Sequence, residues 1–308
     1  MKKVIALSLL LVTAICASGQ TLYVKAYGSN ANPPVLFIHG GPSGNATLFE
    51  STTAKSLADR GFFVILFDRR GEGRSADPAA KLTYQEAFDD INDIYKKYGL
   101  KKLTIIGHSF GGLVATLYTE RYPEKVESLV LAGALFSQQE TYDHILKSVR
   151  KIYEQKGDAA GLKKVSDVVG LDKNSAEYRK ACYDLGSEND YFKMPRPTSD
   201  ANKLRQEYEA SEFGKNNIRN KKAPFLFYQN EVLKNIDTKP RLQKIKKAKV
   251  ELFAVYGQQD RIFSTSQLAD MERLVTKSNF MLIDNCSHYL FVDQQQIFLD
   301  TLQKWLGK

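Results

Sequence analysis

Short apolar runs with almost no polar interruption punctuate the first part of the chain: Val35–Ile38, Phe62–Phe67, Leu103–Ile106 and Ser128–Ala132. Such runs predict strands buried on both faces, as in a parallel sheet, because a strand with one wet face would alternate. Between the second and third runs, Ala87, Phe88, Ile91, Ile94, Tyr95 and Tyr98 recur at helical spacing. Thr83 and Glu86 stand where a capping box would open that helix, and Gly99 where it would stop. From about Ser137 to Lys249 the pattern turns polar and helix-rich, without strong apolar runs. Strand–helix alternation then resumes through Val250–Tyr256, Ser266–Lys277, Phe280–Ile283 and a closing helix near Val292–Leu306. The chain reads as an α/β core over 20–136 and 250–308, a mostly parallel central sheet flanked by helices. A helical cap over 137–249 interrupts that core, as an insertion and not as a second domain in series.

The first residues follow a different pattern. Lys2 and Lys3 precede the apolar run Val4–Cys16, and Ala17-Ser18-Gly19 supplies small residues. A run of about 13 residues falls short of the roughly 20 that a spanning helix needs, so 1–19 reads as a cleaved signal peptide. Cys16 invites a lipid-anchor reading, but Ile15 is not the small residue usual before a lipidated cysteine. No other stretch is apolar enough to span a bilayer. The expected location is therefore secreted or periplasmic, with no membrane insertion after cleavage.

Composition narrows the class. With 308 residues, 43% hydrophobic and 11% aromatic, the chain is no disordered polymer, and three cysteines make no disulfide scaffold. Cys182 and Cys286 survive signal cleavage; an oxidising compartment would permit a bridge, and two separate buried thiols fit as well. No Cys/His spacing suggests zinc, so no metal and no cofactor is expected. The formal net charge is +9, and 138–249 holds 24 basic against 16 acidic residues, so the excess sits in the insertion. Its densest part, Lys239–Lys249, reads as a solvated linker into a strand in preference to an anion-binding surface. No nucleic-acid motif accompanies it.

The chemistry lies elsewhere. Gly107-His108-Ser109-Phe110-Gly111 follows the third apolar run directly, and Gly112-Leu113-Val114-Ala115 opens a helix. A serine between glycines at a strand-to-helix turn is a nucleophile elbow, which makes Ser109 the candidate nucleophile. A serine needs a general base, and the base an orienting acid. His288 follows the last strand-like run, and Asp260 follows Leu252–Gly257, so all three fall after sheet strands at one edge. His144 is a weaker rival base and Glu140 a rival acid. The N–H groups of Phe110 and of Gly41, in the turn His39-Gly40-Gly41-Pro42-Ser43-Gly44, are the candidate oxyanion hole.

Together these residues resemble the α/β-hydrolase fold over all but the insertion. Two motifs resemble the proline iminopeptidase group within it. His39-Gly40-Gly41-Pro42 matches its HGGP turn, and Asp68-Arg69-Arg70-Gly71-Glu72-Gly73-Arg74-Ser75 resembles its D-Q-R-G-x-G-x-S segment, with arginine for glutamine. A helical cap at this point in the chain is also a feature of the group. Glu188-Asn189-Asp190-Tyr191-Phe192 is similar to an E-N-x-Y-F stretch whose glutamate helps bind the substrate's free amine, which implies that role for Glu188. Glu207, Glu209 and Glu231 are further carboxylates the cap could offer an ammonium. The elbow departs from the group's usual G-G-S-W-G, in a form commoner among esterase and carbon–carbon hydrolase relatives. Serine at the elbow excludes the epoxide hydrolases and haloalkane dehalogenases of this fold, which carry aspartate there.

The resemblance implies a secreted serine hydrolase acting through an acyl-enzyme, an aminopeptidase on short peptides like the proline iminopeptidases. A carboxylesterase or other small-ester hydrolase is the alternative. A receptor that keeps the hydrolase shell, and an anion-binding module built on the cap, are the rivals from outside enzymology. The expected partner is a small-molecule or short-peptide substrate; the oligomeric state stays open.

Overall fold

The computed structural model describes residues 22–215 and 217–307; the expected signal peptide over 1–19 lies outside them. The six apolar runs form six strands of a seven-stranded sheet, and Val24–Tyr27, which the pattern does not single out, adds the seventh at one edge. These are β1 (Val24–Tyr27), β2 (Pro34–Ile38), β3 (Phe63–Phe67), β4 (Leu103–His108), β5 (Val126–Ala132), β6 (Glu251–Gly257) and β7 (Phe280–Ile283). Their order is β1-β3-β2-β4-β5-β6-β7. Only β1 runs antiparallel, against β3; the other pairings are parallel. β3 and β4 are buried at every position, as their unbroken apolar runs require, whereas the edge strands β1 and β7 are part-exposed.

Parallel strands need crossovers, and helices supply them. In α1 (Tyr84–Tyr98) the Thr83 side chain accepts the Glu86 N–H at 3.3 Å, and Gly99 closes the helix at φ 64°. The reciprocal half of the expected capping box moves by one residue: Glu86 accepts from the Leu82 N–H at 2.6 Å. α2 (Phe110–Arg121) follows β4 without a spacer beyond Ser109.

Between β5 and β6 run α3 (Gln138–Lys156), α4 (Ala159–Val169), α5 (Ala176–Glu188), α6 (Ser199–Ala210), α7 (Ala223–Asn230) and α8 (Lys239–Lys247). After β6 come α9 (Thr265–Val275), then β7 and α10 (Gln295–Leu306). Apolar side chains of α2 on one sheet face continue without a break into α3 and α5, through Tyr142, Ile145, Tyr178 and Cys182. The other face packs against α10.

One expectation changes, and one open alternative is decided. The Lys239–Lys249 stretch is not a solvated linker, because Leu242 and Ile245 give it a buried side and make Lys239–Lys247 a helix. Three of its cations are paired at home: Arg241 and Lys244 meet Glu120, and Lys239 meets Glu140. Cys182 and Cys286 are separate buried thiols in the clusters on opposite sheet faces, and burial pushes the Cys182 thiol up to about 12. Among the described residues no helix is long and apolar enough to cross a membrane.

Candidate active site

Ser109 joins β4 to α2 at φ 53° and ψ −124°, a conformation that costs a non-glycine residue about 1–3 kcal/mol. Its neighbours make it possible. A Cβ on Gly111 would stand 2.3 Å from the Ile38 carbonyl oxygen, and one on Gly107 would stand 2.8 Å from the Ala115 Cβ. The Ser109 carbonyl accepts from the N–H groups of Gly112 and Leu135, each at 2.9 Å, which pins the turn. Phe110 holds the first helical position, where an N–H has no acceptor within its own helix and the helix end is electropositive.

Asp260 lies just past β6 and His288 in the loop after β7. His288 Nδ1 donates to Asp260 Oδ2 at 2.7 Å, with both side chains buried. That bond keeps the proton on Nδ1 and leaves Nε2 as the basic atom. His108, from the elbow itself, donates from Nε2 to the His288 carbonyl at 2.9 Å, and the two rings lie 4.8 Å apart. Burial first, then the nearness of His288, lowers His108 to about 3, so it is a neutral brace. From the cap, Phe192 meets the His288 ring edge-on at 5.4 Å. Ser109 and His288 line one cavity with His108. The rivals do not: Glu140 is paired with Lys239, and His144 is absent from the cavity wall.

Gly41 sits in the turn above the elbow at φ 156°, where a Cβ would stand 2.3 Å from Arg69 Nη2. The segment Asp68–Ser75 clamps this turn. Arg69 donates to the His39 carbonyl at 2.6 Å and the Gly40 carbonyl at 3.1 Å, and is held by Glu72 at 2.7 Å. Glu72 in turn accepts from the Gly44 N–H at 3.0 Å and from the Ser43 N–H. His39 donates from Nδ1 to the Gly40 carbonyl at 2.6 Å and accepts the Arg69 N–H at 3.1 Å. Burial, with the Arg69 charge second, lowers His39 to about 4. Burial would raise the Asp68 carboxyl, but the hydrogen bonds and charge of Arg74, joined by the Ala46 N–H, together outweigh it and hold Asp68 below its usual range. The motif's arginine thus fixes two carbonyls of the turn that presents Gly41.

A cavity of about 560 Å³ opens between these core loops and the cap helices α5 and α6. Glu188 does not reach it. Its side chain is 48% exposed and pairs with Lys164 at 3.1 Å. Glu188 follows Arg179 by about two and a half turns of α5, so the two face opposite ways. Glu207 points out to Lys203, and Glu231 is spent on the N–H groups of Tyr84, Val232 and Leu233. Glu209 and Asp184 do border the cavity, Asp184 in a pair with Lys180. On the cavity wall the cap also sets Tyr183 and Arg179. Burial raises the Tyr183 phenol, while Ser109 and Arg179 draw it down. Sequence reasoning missed both residues, since a tyrosine and an arginine in a polar helix carry no signal of their own. Among the described residues no His/Cys/Asp/Glu group is placed to hold a metal ion.

The family described as the alpha/beta hydrolase fold matches residues 33–295, and the chain belongs to it. Among curated proteins it is similar to the proline iminopeptidase of Saccharolobus solfataricus, 24% identical over 94% of this chain and 90% of that one. Among solved structures it is similar to a proline iminopeptidase-related protein from Thermus thermophilus, with a TM-score of 0.65, 22% identity and 93% coverage of each chain. An esterase from Exiguobacterium antarcticum superposes with a TM-score of 0.61 at 20% identity, over 93% of this chain and 96% of that one. The structural likenesses establish the fold.

Proposed function

We propose that the protein is a serine hydrolase that cleaves short peptides from a free N-terminus through an acyl-enzyme, as proline iminopeptidases do, outside the cytoplasm. The observation that carries the catalytic reading is the buried 2.7 Å bond from His288 to Asp260 on the cavity wall that also holds the strained turn of Ser109. His288 Nε2 takes the hydroxyl proton as Ser109 Oγ bonds to the carbonyl carbon. The tetrahedral oxygen is held by the N–H groups of Gly41 and Phe110. The C–N bond then breaks and His288 hands its proton to the departing amine. Water repeats the cycle, freeing the acid and restoring Ser109, while Asp260 orients the ring.

The peptide reading is supported by the HGGP turn, its clamp and the full-length likeness to proline iminopeptidases. Export is supported by the pattern of residues 1–19. An ester hydrolase is the second reading. It gains from the outward pairing of Glu188 and from an arginine, where an amine would want a carboxylate, beside the Gly41 turn.

Turnover of prolyl and other aminoacyl arylamides, set against short-chain aryl esters, tests both. Amide cleavage that disappears when the amine is acylated is the expected result. Ester cleavage alone would overturn the peptidase reading, and turnover of neither class would overturn both.

A further inference from the structure

One buried charged group on the cavity wall has no part in the mechanism above. Arg179 of α5 is 6% exposed and lines the cavity with Ser109 and Gly41. Its Nη2 donates to the Gly41 carbonyl, and its guanidinium stands 5.0 Å from the centre of the Tyr183 ring. Its Nε has no acceptor among the described residues. No carboxylate there pairs with it. The carboxylate whose charge acts on it is Glu72, whose oxygens are taken by Arg69 and by the N–H groups of Ser43 and Gly44. The other polar neighbours, Tyr142, Tyr183 and Tyr228, are phenols that burial keeps neutral.

Arg69 and Arg179 therefore share one buried carboxylate, and the cavity carries an uncompensated positive charge where α5 meets the Gly41 turn. A buried cation without a partner is strongly unfavourable, and a guanidinium with free N–H groups matches a carboxylate in shape as well as charge. Hydrogen bonding to the Gly41 carbonyl uses one donor of five and neutralises nothing.

We propose that the cavity takes acyl substrates that carry a carboxylate, bound by Arg179 while the scissile carbonyl rests on Ser109. The proposal rests on the hydrolase reading and narrows its substrate class. Two sources share this chemistry: the C-terminus of a very short peptide, and the free acid of a dicarboxylic half-ester.

Matched pairs separate them. In the peptide arm, Pro-Gly is compared with Pro-Gly-amide; in the ester arm, 4-nitrophenyl hydrogen glutarate is compared with its methyl ester. The wild-type protein should favour the acid by about tenfold or more in kcat/KM in at least one arm. Arg179→Met should abolish that preference, and Arg179→Lys should keep part of it. An arginine that merely props the Gly41 turn predicts something else: both members of a pair fall together and their ratio holds. No preference in either arm, or an unchanged preference in Arg179→Met, overturns the proposal.

Should the variants not fold, the wild-type protein still decides. Glutarate should slow fluorophosphonate labelling of Ser109, and glutaramide should not; equal effects overturn the proposal. No labelling at all overturns the hydrolase reading itself, and this proposal with it.

Discussion

The floor and the roof of the cavity are held in different ways. In the floor, backbone geometry does the holding: Ser109 at positive φ, glycines that leave no room for a Cβ, and a turn laced by Arg69 and Glu72. In the roof, side chains on α5 and α6 do it, many of them exposed and joined by surface ion pairs such as Lys180–Asp184 and Lys203–Glu207. Exposed pairs of this kind contribute little to stability. The floor can therefore position a reacting atom to a fraction of an ångström, and the roof can change its lining without endangering the fold. Reaction type belongs to the first and substrate choice to the second.

Substitutions can break that division, and the largest effects should come from the floor. Ser109→Ala should lower kcat by about 10⁴ or more on any substrate with the fold intact, read by steady-state kinetics and circular dichroism. Residual activity near wild type would mean another nucleophile. Asp260→Asn leaves the shape and spoils the tautomer of His288, so kcat should fall by about 10²–10⁴. Gly111→Ala drives a Cβ to 2.3 Å from the Ile38 carbonyl oxygen, and urea unfolding should show about 3 kcal/mol or more of lost stability.

Acid should also find the floor first. His39 and His108 have folded values of about 4 and about 3, below the ordinary 6.5. Above pH 6.5 both are neutral folded or unfolded, and stability is full. Below it the unfolded chain takes up protons that the folded chain refuses, so stability drains away down to the folded values. The unfolding free energy from urea titration should fall between pH 7 and pH 4, by on the order of 3 kcal/mol per histidine. His39→Gln should flatten part of the slope; an unchanged slope would show that His39 titrates normally. The smallest effect belongs to the roof's outer face: Glu188→Gln should leave kcat/KM within about twofold. A large rise in KM confined to substrates with a free amine would put Glu188 back in the pocket.

How much of this could be read from residues alone depended on how local each signal was. The elbow is a chain-local pattern, strand, tight turn and helix within a dozen residues, so Ser109 stood out. Asp260 and His288 emerged from chain order, because a parallel sheet delivers every strand end to one edge. The Asp68–Ser75 motif was visible as a motif, but its clamp on the Gly41 turn is a contact across about thirty positions that no pattern encodes. Glu188 lies outside the cavity lining, and a family-like string does not set the rotational phase of α5 against the core. Arg179 was invisible, since burial alone distinguishes it from the other cations of a basic cap. The Lys239–Lys247 helix was hidden by its charge, with only Leu242 and Ile245 to reveal a buried side.

The central claim is that Ser109 is an activated nucleophile, and covalent labelling addresses it most directly. A fluorophosphonate probe followed by peptide mapping should place one label per chain on Ser109. Labelling should vanish in Ser109→Ala and slow sharply in His288→Ala. A folded wild-type protein that takes no label, or takes it at another residue, would contradict the account.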